Sequence, residues 1–447
     1  MATPPGAAVD VVVVGSGSGG KMVAQQLAQA GRSVVLVERG HVGGFCPFLA
    51  CVPAKSLLLS ARAELSWVAA RAVRDEAASH RDDSGAAAEL TGDGVEVVRG
   101  SATRIAPGSP VGTVDVDLHG GGRRTVEAAH VVVGTGSTPV RPPLPGLDGA
   151  ATWTSEEALA AQELPDRLVV LGGGPVAVEL AQAYRGLGSE VTLVQRGPHL
   201  LSREPSWVGD VLAQALTADG VDVRTGDPAA EVVDGGLRLE SGAVLGFDRL
   251  LLATGREPVT DGFGFADDWL TDAGALRTDA RCHVVGDDGP VGGLFAVGDV
   301  TGISDYTHTA NHQARTVVGE LLGRGRDADY SAIPRAVFTD PTVFSVGATS
   351  GARSARFEVG EVERADLVQL SRRRGVTGAV ELFVDEAGVL VGAACVGPDA
   401  DSWGAELALA VRAHLDVDLL WHHVRAFPTW SEAIFPALEE LHGASAP

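Results

Sequence analysis

The first strong pattern along the chain is a β-branched run from Val9 to Val14 that ends in glycines. A helical spacing of apolar residues follows through Ala30, Gly31 stops it, a second apolar run covers Val34 to Val37, and Glu38 stands at its end. This succession predicts a β-α-β unit. The same plan returns at Leu168 to Leu171, with Gly172 to Gly174, a helical stretch to Leu187, Gly188 as a stop, Val191 to Val194, and then Gln195. The chain therefore contains an internal repeat. Between the copies, roughly Ala61 to Ala88 reads as helical and Val95 to Leu118 as short strands. The stretch closes with Val131 to Gly136 and a proline-rich link from Pro139 to Pro145, which puts a boundary near Leu147. A second transition falls at Tyr330 to Pro334. Beyond it, strand-like runs at Val343 to Val346, Gly378 to Val384 and Val389 to Val396 precede a helix from Trp403 to His414, the pattern of a separate α+β domain.

Both units carry glycines at the strand-to-helix turn. In the first, Gly15, Ser16, Gly17, Ser18 and Gly20 fit G-x-G-x-x-G, where absent side chains let backbone amides approach a pyrophosphate at the positive helix N-terminus. Glu38 lies 21 residues beyond Gly17, where a carboxylate accepts from both ribose hydroxyls. Strand, glycines, helix and acid occur in order, which lifts nucleotide binding above a plain tight turn. The second copy reads Gly172, Gly174 and Ala177, and its residue at the matching offset is Gln195, followed by Arg196. A carboxylate there repels a 2′-phosphate, whereas an amide beside a guanidinium binds one, so NADPH is favoured over NADH. Arg203 supplies a possible second charge; the competing reading of Arg196 is an ordinary solvated loop residue. Together the copies predict an α/β fold with two Rossmann-like dinucleotide-binding domains.

At 447 residues the chain exceeds one ordinary core, so about three domains are expected. Its formal charge of −23, from 58 acidic and 35 basic residues with no basic block, argues against nucleic acid as a partner. Met1 to Ala8 shows no signal-peptide pattern and no membrane span is evident, so a cytoplasmic location is expected. Only Lys21 and Lys55 are lysines, which singles both out for a chemical role.

Four cysteines do not make a disulfide framework, so the close pair Cys46 and Cys51 calls for a redox or metal explanation. In a regular helix, residues five apart are separated axially by roughly 7.5 Å, at the limit for a disulfide. Bridging them therefore needs an irregular first turn, which Pro47 favours. Such a disulfide is comparatively reducible, and thiols at a helix N-terminus are acidified, as exchange chemistry requires. Zinc is disfavoured because Cys282 and Cys395 lie far away without partner spacing. Two buried free cysteines are the other alternative.

With these residues in view, the chain resembles the class I pyridine nucleotide-disulfide oxidoreductases, which include lipoamide dehydrogenase, glutathione reductase and mercuric reductase. The resemblance rests on Gly43-Gly44-Phe45-Cys46 through Cys51-Val52-Pro53-Ala54-Lys55, on Gly134-Thr135-Gly136, Ala253-Thr254-Gly255-Arg256 and Ala296-Val297-Gly298-Asp299, and on Val337-Phe338-Thr339-Asp340-Pro341. It implies an FAD-binding domain over 1–147, an NAD(P)H-binding domain over 148–268, an FAD-side return over 269–329 and a C-terminal α+β dimerisation domain over 330–447, in a homodimer with shared active sites. By the resemblance, Cys51 is the thiolate against the flavin, Cys46 the thiol that exchanges with a small-molecule substrate, and Lys55 the cation beside the flavin, paired with Glu179. Asp299 meets the ribityl chain, while Ala102, Gly134, Thr135, Gly136, Gly255 and Thr307 lie at cofactor-contacting positions.

One segment departs from the family pattern. Its disulfide reductases carry His-Pro-Thr-x-x-Glu, whose histidine, held by the glutamate, protonates the leaving thiol in the neighbouring subunit. Here the segment is Phe427-Pro428-Thr429-Trp430-Ser431-Glu432. Phenylalanine transfers no proton, a contribution typically worth about 10²–10⁴-fold. His423 and Arg425 are the candidates for rescue. Mercuric reductase also lacks this histidine but carries C-terminal vicinal cysteines, and Leu441 to Pro447 contains none, so mercury is not expected. His308 and His312 are spaced like helical metal ligands, yet no acid or third histidine accompanies them, and a structural role is expected. The leading reading is NADPH to FAD to Cys46/Cys51 to a disulfide-like substrate. The alternatives are direct reduction of a quinone or similar acceptor, with Phe427 and Trp430 lining its pocket, and a non-catalytic redox sensor.

Overall fold

The computed structural model describes residues 8–359, 378–426 and 429–443. They fall into two compact units: the first runs to Ser56 and resumes over Arg71–Val140 and Gly255–Asp329, and the second takes Leu57–Ala70, Arg141–Thr254 and the chain from Tyr330 onward.

In the first unit, valine-rich strands bury both faces, as a parallel sheet requires. β1 (Val9–Val14) pairs in parallel with β2 (Val34–Glu38) and with β5 (Arg123–Val133), β2 pairs with β3 (Val95–Ala106), and Gly289–Ala296 extends the sheet beyond β5. β4 (Gly112–Leu118) runs antiparallel to both β3 and β5. Alternation within β1 sends Val11 and Val13 to one core and Val12 and Val14 to the other. The first of these cores is closed by Val23 and Leu27 of helix α1 (Ser18–Gln29) and by Val317 of the helix Thr307–Leu321.

In the second unit, β6 (Arg167–Leu171) lies at the centre of five parallel strands, flanked by β7 (Glu190–Gln195) and by Arg249–Leu252. The chain from Tyr330 onward adds a five-stranded antiparallel sheet in the order Arg335–Val337, Thr342–Gly347, Leu390–Gly397, Gly378–Val384, Arg353–Val359. Phe344, Leu382, Leu407, Ile434 and Leu438 fill its core. The fold is thus α/β, with two dinucleotide-binding sheets and an α+β part.

Several boundaries differ from the expected ones. The chain changes unit at Val140–Arg141 and Thr254–Gly255, against expected positions of 147 and 268. The strand pair Ser137–Pro139 with Arg256–Pro258 binds both crossings to the first unit. The Phe263 carbonyl accepts from the Ile105 amide there, whereas the Pro145 carbonyl accepts from the Val232 amide in the second unit. The single helical stretch expected near 61–88 is broken into Cys51–Arg62, Trp67–Ala77 and Ser84–Gly92, with left-handed residues at Glu64 and at Ser79, His80 and Arg81. The expected helix from Trp403 to His414 is likewise two helices, Ala400–Trp403 and Ala405–Arg412. The segment Phe45–Arg62 is apolar and long enough by composition to cross a membrane, but it breaks into α2 (Phe45–Leu49) and α3 (Cys51–Arg62), and it carries Lys55 and Arg62.

The glycine turns show why each strand can end where it does. A Cβ on Gly15, whose φ is +95°, would lie 2.2 Å from the Gly134 carbonyl oxygen; one on Gly172, at φ +127°, would lie 2.2 Å from that of Ala253. Gly15→Ala and Gly172→Ala are each expected to cost about 2 kcal/mol or more, read as a lowered melting temperature. A change of less than about 0.5 kcal/mol at either site would show that the backbone there has room to move.

Candidate active site

The first site forms at the C-terminal ends of β1, β2 and β5. No side chain caps α1, whose N-cap is Gly17, so its first-turn amides present the anion-binding geometry of an open helix N-terminus. An added Cβ on Gly17 or Gly136 meets no atom within 4 Å, so space for a ligand lies over both. Glu38, buried at the end of β2, accepts from the Ser16 amide (2.7 Å), the Ser16 hydroxyl (2.6 Å) and the Gly40 amide (2.6 Å). The Ser16 hydroxyl in turn accepts from the Gly43 amide at 3.1 Å, tying the acid to the loop that leads to the cysteines. Asp299 accepts from the Ser137 hydroxyl at 2.6 Å, and Arg256 donates to that hydroxyl and to the Ser137 carbonyl, both at 2.8 Å. Thr135 donates to the Val259 carbonyl, and the Gly255 carbonyl accepts from Val140. Ala102 borders a bulge in β3. Ser137 carries no sequence signal of its own, although Arg256 lies in a motif that does.

Cys46 and Cys51 stand on α2 and α3, separated by the break at Ala50 (φ −141°, ψ −100°), so the irregularity falls there rather than at Pro47. Both are half-buried thiols. The Cys51 thiol donates to Cys46, which, helped by Thr307 and the Lys55 charge, lowers the Cys46 thiol to about 6 against the opposing effect of burial. The same bond to Cys46, together with burial and the adjacent sulfur charge, pushes Cys51 far up. Cys46 and Cys51 thus titrate as one unit, sharing a proton beside the Lys55 charge. Thr307, expected at the cofactor, lies with its hydroxyl 3.8 Å from Cys51 Sγ. Cys282 and Cys395 are fully buried.

The second nucleotide turn lies wholly in the second unit. Helix α4 (Pro175–Gly186) has Gly174 as its N-cap with no side-chain cap, and Ala177 is fully buried. The Gln195 side chain packs on Gly173 and donates weakly to the His199 carbonyl at 3.4 Å. Arg196 and Arg203 are exposed, and no ion pair or hydrogen bond holds either side chain among the described residues. Glu179, buried on α4, accepts from the Phe338 amide at 2.9 Å. One turn on, Gln182 accepts from the Asp340 amide and donates to its carbonyl, both at 2.8 Å. Gln182 was not singled out by sequence; its place three residues after Glu179 was the available signal.

Phe427 lies outside the described residues. Glu432 falls in the short helix Trp430–Ile434, where Trp430 packs against the antiparallel-sheet core. Arg425 is nearly fully buried in an ion pair with Glu406 at 2.8 Å, which gives it a structural role, and His423 is exposed. His312 Nε2 accepts from the Asp329 amide at 3.3 Å, and His308 stacks on Tyr306.

A family model described as pyridine nucleotide-disulphide oxidoreductase matches residues 9–314, and one for that family's dimerisation domain matches residues 333–438. The chain belongs to this family. It is an NAD(P)H-dependent flavoprotein disulfide oxidoreductase, and the family works with FAD. The chain is 33% identical to a dihydrolipoyl dehydrogenase of Chlorobaculum parvum, with 95% of each chain covered. It is 32% identical to a mercuric reductase of Streptomyces lividans, over 95% of this chain and 94% of that one. A solved Cu(II) complex of the HOCl-induced flavoprotein disulfide reductase RclA from Escherichia coli matches with a TM-score of 0.85 at 26% identity, covering 98% of this chain and 100% of that one.

In the reduced family member, alkylation of Cys46 by iodoacetamide should rise through an apparent pKa of about 6 and level off above it. Cys51→Ala removes the donor and should move the midpoint upward; an unmoved midpoint would overturn the hydrogen-bond account.

Proposed function

We propose that the protein carries electrons from NADPH through FAD to the Cys46/Cys51 pair and on to a small disulfide-like molecule, as a homodimer in which each partner completes the other's site. The observation that carries this reading is the break at Ala50, which sets Cys46 on α2 beside Cys51 on α3 with the Thr307 hydroxyl and the Lys55 charge against them, the arrangement of a nucleophile beside its resolving partner. The residues present fit FAD: the uncapped N-terminus of α1, the open space over Gly17 and Gly136, and the carboxylates Glu38 and Asp299 face the same strand ends. When bound, FAD supplies the conversion of a hydride into an electron pair that reopens the Cys46–Cys51 disulfide.

In the oxidative half, the Cys46 thiolate attacks one sulfur of the substrate disulfide; its S–S bond breaks and one thiolate leaves. Cys51 then loses its proton to solvent and attacks Cys46 Sγ, the mixed S–S bond breaks as the Cys46–Cys51 disulfide forms, and the second thiolate leaves. With phenylalanine at position 427, leaving groups of low thiol pKa suit the site, because they depart as anions without an acid. For NADPH, the support is the pair of exposed guanidiniums, Arg196 and Arg203, beside Gln195 in place of an acid.

Anaerobic NADPH should make Cys46 and Cys51 alkylatable in equal amount to the enzyme, as read by mass spectrometry. Should NADPH be oxidised without exposing either thiol, a direct acceptor such as a quinone replaces the disulfide reading. Arg196→Ala should raise the KM for NADPH by roughly tenfold while moving that for NADH less than about twofold; equal effects would sink the NADPH assignment. Phe427→His should raise turnover of an alkyl disulfide about tenfold or more, and an unchanged rate in a folded variant would refute the role given to Phe427.

A further inference from the structure

An open cleft of about 560 Å³ lies in the first unit against Cys46 and excludes Cys51 from its lining. Its size is that of a small-molecule site. Apolar walls come from Val42, Phe48 and Val52, hydroxyls from Ser79 and Ser84, and its one acid is Asp82. The one cation among the lining residues is Lys21, half of the chain's entire lysine content.

Lys21 extends from α1 and pairs with Glu89 of the helix Ser84–Gly92 at 2.7 Å, where the two side chains are 26% and 52% exposed. Gln25 also donates to Glu89, at 3.0 Å. Exposed ion pairs of this kind contribute about 0–1 kcal/mol, so a ligand carboxylate entering the cleft competes with Glu89 on near-equal terms. Lys55 is the cation that acts on the Cys46 sulfur; Lys21 is therefore available to a charge carried elsewhere on the ligand. A formal charge of −23 repels anions from the rest of the molecule, which makes a single accessible ammonium beside the nucleophile selective.

We propose that Lys21, gated by Glu89, is a specificity residue that directs carboxylate-bearing thiols and disulfides to Cys46. This rests on Cys46 being the exchanging thiol, as the proposed function has it. The exchange itself is balanced: the Cys46 thiolate attacks a disulfide sulfur, one S–S bond forms as another breaks, and the displaced thiolate departs.

The test uses flavin-loaded Cys51→Ser protein, chemically reduced and desalted, in which the remaining cysteines, Cys282 and Cys395, are buried. Single-turnover exchange at Cys46 is followed with two aromatic disulfides, the dianionic 5,5′-dithiobis(2-nitrobenzoate) and the neutral 2,2′-dithiodipyridine. Lys21→Gln should slow the dianionic probe by roughly threefold to tenfold and leave the neutral one within about twofold. Glu89→Gln should do the opposite, speeding the dianion alone. Equal effects on both probes, or none on either, in both variants would overturn the proposal. Because the thiol is reduced chemically, the result stands apart from whether NADPH reaches the cysteines, which the alkylation experiment decides separately.

Discussion

Everything at the nucleotide sites follows from one contact that only a bare backbone permits. Gly15 lies so close to the Gly134 carbonyl that no side chain fits between them, and Gly172 repeats the arrangement against Ala253. The Gly15 amide donates to Val37 and the Gly134 amide to Val14, each at 2.8 Å, so the strand ends converge to within a peptide's width. That convergence aims the N-terminus of α1 at the sheet edge and sets Glu38 beside Ser16. The loop through Gly43 then delivers Cys46 to a fixed place. Catalytic geometry here is inherited from strand packing.

Much of this was legible in the sequence because it is local. Val9 to Val14, the glycines and Glu38 are adjacent in order, and their repeat at Leu168 to Gln195 keeps the plan while placing Ala177 for Gly20 and Gln195 for Glu38. The Cys46/Cys51 pair was legible for the same reason. What sequence could not supply was long-range. Ser137 holds Asp299 across 162 positions, and Gln182 meets Asp340 across 158. The breaks at Glu64 and Ser79 to Arg81 were hidden because none of these residues is a glycine or proline, although all take left-handed backbone angles. The strands Arg335–Val337 and Arg353–Val359 escaped for a related reason: on these two edge strands arginines interrupt the apolar alternation, Arg356 facing solvent and Arg335 held by Glu204.

In the thiol pair, Lys55 favours the anion on either sulfur, and contact between the sulfurs lets one proton serve both. The polar surroundings of the pair come from two elements, since the Thr307 hydroxyl stands 3.8 Å from Cys51 Sγ and Lys55 lies on α3 itself.

The clamp between α4 and the Phe338 to Asp340 loop has an implication for modularity. Glu179 and Gln182 grip three backbone groups of the loop between two strands with side chains that are both buried, so the second dinucleotide-binding fold and the antiparallel sheet cannot drift apart in evolution as freely as two domains joined by a linker. A chimaera that exchanged the sheet alone would leave two buried polar side chains without their backbone mates; the viable unit of exchange is the pair.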